Sequence, residues 1–101
     1  MQYHFSMNDD KNSLLEKLIR ELEASEKNIR FSRLLTICDN VFGAGRTSGG
    51  HHIFKTPWQG DPRINLQKLT GNLAKPYQVR QVLRCLRKLN ETKKKNEREN
   101  K

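Results

Sequence analysis

The chain of 101 residues carries 20 Lys plus Arg against 11 Asp plus Glu, a formal net charge of +9. Only 34% of its residues are apolar, so it holds one domain with a small core, which excludes a large cofactor-binding architecture. No apolar run approaches the roughly 18 residues of a membrane span, and no signal peptide opens the chain. It reads as a soluble, cytoplasmic protein with no membrane partner.

Residues 1–10 show no periodic pattern and are expected to be loose. Ser13 followed by Glu16 forms a capping box, and Leu14, Leu15, Leu18, Ile19 and Leu22 repeat at helical spacing. This predicts an amphipathic helix over 13–27. Its apolar stripe needs a partner, either the domain itself or another chain. A second helix is predicted from Ser32 to Phe42, with Leu34, Leu35, Ile37, Cys38, Val41 and Phe42 on a broad buried face. Gly43 suits its C-terminal stop.

Four glycines in the eight residues 43–50 then read as a glycine-rich strand. His51 to Lys55 reads as the next strand, Thr56 to Pro62 as a turn, and Arg63 to Gln67 as a third strand with Ile64 and Leu66 on one face. Lys68 to Lys75 reads as a loop. Pro76 suits the first turn of the last helix, whose core stripe is Val79, Val82, Leu83, Leu86 and Leu89. The ten residues from Thr92 contain no apolar side chain, so 91–101 is expected to be a disordered tail or a frayed helix end.

The chain therefore divides into an N-terminal extension over 1–28, a domain over 29–90 and the tail. The domain is α+β, with the order α-β-β-β-α. That is the order of the double-stranded-RNA-binding fold, in which both helices cover one face of a three-stranded antiparallel sheet. Cys38 and Cys85 are read as small buried hydrophobes, since neither a CxxC nor a zinc-finger spacing is present.

Charge changes sign along the chain. Residues 1–30 hold five basic and six acidic side chains, whereas 31–101 hold fifteen and five. Between Asn40 and Asn90 the sole acid is Asp61, against nine Lys or Arg. A field of one sign at that density attracts polyanions, and nucleic acid is the obvious one. Arg80, Arg84, Arg87 and Lys88 lie off the core stripe of the last helix, which has no acid from Pro76 to Asn90 to pair them. They read as a cationic outer face.

His51-His52 is the most chemically pointed feature. Histidine exchanges protons near neutrality, with an unperturbed pKa of about 6.5. The pair follows Gly49 and Gly50, which would let a substrate backbone approach, and lies near Arg46, Lys55 and Arg63, which suit a phosphate. Neighbours on a strand point to opposite faces, so the two rings cannot serve one substrate from a regular strand. Three readings stand: a His pair with no chemistry; a metal site, discounted for want of a third ligand; and general-base attack on RNA, in which one imidazole takes the ribose 2′-OH proton. Trp58 is read either as a base-stacking platform or as a cap on the core.

Ser48 to Gln67, including His51-His52-Ile53-Phe54-Lys55-Thr56-Pro57-Trp58 and Gly60-Asp61-Pro62-Arg63, resembles the HicA toxin family. It is similar to the branch marked by Gly-Ser-His and a Lys-Thr-Pro-Trp-x-Gly-Asp-Pro-Arg turn. Ala74 to Leu83 resembles that branch's final helix, and the likeness spans about residues 29–90. It implies the toxin of a type II toxin–antitoxin pair, a ribonuclease that cuts mRNA with the motif histidine. It also implies a HicB-type antitoxin as partner and no metal or organic cofactor. The motif histidine falls on His51 and the glycine on Gly49, with His52 as the alternative. Gly50 departs from the pattern, standing where the family commonly has serine. Two other functions fit the same basic surface: a non-catalytic RNA-binding module, and an inactive relative that keeps only its antitoxin. The first helix lies outside the family core and is expected to pack on the domain, support dimerisation or enlarge the antitoxin interface.

Overall fold

The computed structural model describes residues 7–60 and 63–99, with side chains over 14–60 and 63–95. Helix α1 spans Met7–Ala24, α2 Phe31–Phe42 and α3 Pro76–Glu99, and strands β1 (Arg46–Ser48), β2 (His51–Phe54) and β3 (Ile64–Gln67) lie between α2 and α3. The architecture is α+β, and the sheet is antiparallel in the order β1-β2-β3.

The apolar periodicities decide what packs where. Leu34, Ile37 and Cys38 recur at helical spacing on α2, and Val79, Val82, Leu83 and Leu86 on α3; all are buried. Phe54, Ile64 and Leu66 stand at alternate strand positions on the sheet face that these helices cover, and they are buried too. Gly45, at the entry to β1, packs against this layer: a Cβ there would lie 2.6 Å from the Phe54 ring. Both cysteines are buried, and they form no disulfide with each other. Burial above all, then Cys85 and Asp39, pushes the Cys38 thiol up to about 12.

Of the three roles expected for the helix of the N-terminal extension, packing on the domain is the one seen. Leu15, Leu18 and Leu22 of α1 are buried against α3. Helix α1 also begins earlier than its capping signal. No proline or glycine interrupts residues 7–13, so the helix continues back to Met7 and Ser13 lies in its interior. Residues 7–10, expected to be loose, are thus helical, and 1–6 lie outside the described residues. Glu16 reaches Lys94 at 3.9 Å. The tail expected to be disordered or a frayed helix end continues α3 to Glu99. Lys, Arg and Glu are good helix formers, and the α1 contact extends along the same side.

Carboxylates on α1 and in the turn after it line up with cations elsewhere. Glu21 accepts two hydrogen bonds of 2.8 Å from Arg33 on α2, which hold its carboxyl below the usual carboxylate range. Glu23 pairs with Arg87, and Glu26 with Arg80 at 3.3 Å. These pairs are exposed, so each is worth less than about 1 kcal/mol and contributes mainly to orientation.

The outer edge of β3 is closed by α3. The Asn65 N–H donates to Gln81 Oε1 at 2.9 Å, and Gln81 Nε2 donates back to the Asn65 carbonyl at 3.4 Å. Gln78, one turn earlier, donates to the Gln67 carbonyl at 2.8 Å. Two side-chain amides thereby occupy backbone groups that would otherwise attract another strand. The loop 68–75 is tied down by Ala74 N–H to Ile29 carbonyl (2.8 Å) and Phe31 N–H to Asn72 carbonyl (2.9 Å). Among the described residues no helix is long and apolar enough to cross a membrane.

Candidate active site

Gly49 and Gly50 form the turn between β1 and β2, with φ of 56° and 86°. Two-residue hairpin turns of the mirror-image type need positive φ at both positions, and glycine supplies it without steric cost. Any residue with a side chain at position 50 would be strained. The turn fixes the register, with Ser48 opposite His51 and Thr47 opposite His52.

That register separates the two histidines. His52 faces the helices. Its ring meets Phe31 edge-on with centroids 5.7 Å apart, and its Nδ1 lies 3.5 Å from Thr47 Oγ1. His51 points to the uncovered face of the sheet. Its Nδ1 lies 3.0 Å from Asn65 Oδ1. An amide oxygen only accepts, so in this arrangement the bond forms with the tautomer that carries its hydrogen on Nδ1 and has the lone pair on Nε2. The two rings cannot ligate one ion from opposite faces.

Arg46 on β1 stands opposite Ile53, and Lys55 and Arg63 flank β2 and β3 at positions that alternate onto the face of His51. Ile53 shares its face roughly 7 Å along the strand. Ile53, Arg46, Lys55 and Arg63 line one cavity of about 490 Å³ together with Phe42 and Ala44. The sequence-predicted residues His51, Arg46, Lys55 and Arg63 are thus gathered on one surface, with Gly49 and Gly50 at its rim. Asp61 and Pro62 of the predicted turn lie outside the described residues.

No protein-family model, curated protein or solved structure matches the chain. What the chain can do must be read from its own geometry.

Arg80 is not brought to this surface. Arg80 turns toward α1 and its guanidinium meets Glu26. The lack of acids from Pro76 to Asn90 is made good by carboxylates more than fifty residues earlier. Arg84 is exposed, one turn of α3 beyond Gln81. Trp58 packs against the core, and Lys88 Nζ sits 4.5 Å from its ring centroid. Its face is engaged by a cation and the core-capping role is the one realised. Asn65 went unnoticed in the sequence. Its signal was the polar position between Ile64 and Leu66, which only the strand register aligns with His51.

Proposed function

We propose that the chain is a HicA-type toxin, an endoribonuclease that cleaves mRNA in the cytoplasm with His51 as general base and is held in check by a HicB-type antitoxin. The observation that carries this reading is the His51–Asn65 hydrogen bond on an open, cationic sheet face. In the tautomer with its hydrogen on Nδ1, Nε2 is the base. That atom takes the 2′-OH proton, the 2′ oxygen attacks the adjacent phosphorus, and the bond to the 5′ oxygen breaks as that oxygen gains a proton. A 2′,3′-cyclic phosphate and a 5′-hydroxyl end result. Arg46, Lys55 and Arg63 offset the charge that develops on phosphorus. The element order and the two helices on one sheet face support a double-stranded-RNA-binding-like fold beneath the site.

The test is cleavage of a labelled RNA by the parent and by His51→Ala and His52→Ala proteins. Removing a general base costs on the order of 10²- to 10⁴-fold, so the His51→Ala rate should fall by that much with the fold retained. His52→Ala should keep most of the rate. A His51→Ala protein that cuts like the parent sinks the assignment. RNA binding with no new ends in the parent points to a binding module.

A further inference from the structure

The cavity lined by Arg46, Ile53, Lys55 and Arg63, on the sheet face that carries His51, does not end at Lys55. A second cavity of about 410 Å³ shares Phe42 and Lys55 with it, and continues over Val41, Pro57 and Leu89 to Lys93 on α3. Together they make a groove that starts on the sheet face and runs to the C-terminal half of α3. Its floor is apolar and its rim cationic. No carboxylate lines either cavity. Lys94, the next residue, pairs with Glu16, whereas Lys55 and Lys93 have no acidic partner among the described residues.

We propose that this groove is a single-stranded RNA subsite that carries the substrate strand away from His51. Bases rest against Phe42, Pro57 and Leu89, and phosphates lie along Lys55 and Lys93. The inference rests on the ribonuclease reading for the direction of the strand. An apolar floor between cationic rims suits unpaired bases, which offer a flat apolar surface to the protein. A duplex hides those surfaces in its stack, and so gains nothing from the floor. An acidic peptide would satisfy the charges too. The groove, however, is continuous with the face where a nucleic acid must lie to be cut.

The experiment titrates full-length protein with uncleavable 2′-O-methyl oligonucleotides of increasing length and follows fluorescence anisotropy against salt. The parent should gain affinity as the oligonucleotide grows from a tetramer to a dodecamer. Lys93→Gln should remove part of that gain and lower the salt slope by about 0.7, the share of one single-strand phosphate contact. An unchanged length dependence and slope in Lys93→Gln overturn the subsite. So does inorganic polyphosphate binding as tightly as the dodecamer, because the floor then adds nothing. Lys93-dependent binding of an acidic, leucine-containing peptide without any such effect on RNA assigns the groove to a protein segment instead. A parent protein that binds the dodecamer through Lys93 yet never cuts unmodified RNA refutes the ribonuclease reading and leaves the subsite standing.

Discussion

Asn65 touches His51 through one hydrogen bond, and in the proposed reaction that bond gains strength as the ring takes its proton. When Nε2 takes a proton the ring becomes a cation, and Nδ1–H then donates from a charged group. Hydrogen bonds to charged groups are worth about 1.5–3 kcal/mol, which is roughly ten- to a hundredfold in rate. Asn65→Ala should therefore lower kcat by about that factor while RNA binding holds, because the cations of the face remain in place. A matching loss in KM alone would mean that Asn65 acts on the substrate and not on the ring. The backbone of Asn65 is itself held on both sides by Gln81, so the residue that orients the base is fixed by a third layer.

Helix α1 behaves as a wall of the core and not as an appendage. Leu22 is fully buried between α1 and the rest of the molecule. Leu22→Ala should destabilise the whole domain by about 2–5 kcal/mol, measured by denaturant unfolding with a single transition. Unfolding of α1 alone, with the sheet and α3 intact, would show the extension to be independent after all. The sequence made most of the elements legible because short-range periodicity fixes them: Ile64 and Leu66 alternate, Val79 to Leu86 follow the helical repeat, and strand geometry alone required His51 and His52 to face apart. What stayed hidden depends on distant contacts. The start of α1 was misplaced because a local capping signal at Ser13 competed with an uninterrupted helical segment before it. The partner of His51 depended on the register set by Gly49 and Gly50. The role of Arg80 depended on Glu26, at the far end of the chain's acidic segment.

Across the whole molecule the fold sorts charge that the sequence only lists in order. Most of the acids of the first thirty residues lie on α1 or in the turn after it, and there they meet Arg33, Arg80, Arg87 and Lys94. Cations on that side are answered by carboxylates, so the field they project is weak. Arg46 and Lys55 stand on the sheet face that carries His51, in a cavity with no carboxylate in its lining. A polyanion should therefore be drawn to the sheet face and not to the outer face of α3. Two single substitutions separate these surfaces. Arg46→Gln should weaken binding of a single-stranded RNA and reduce its salt slope by about 0.7, as one phosphate contact is lost. Arg80→Gln should leave both the affinity and the slope at the parent's values, and lower stability by less than about 1 kcal/mol through the exposed pair with Glu26. Equal losses of affinity and slope in the two proteins would place RNA across α3 and return the outer helix face to the binding surface.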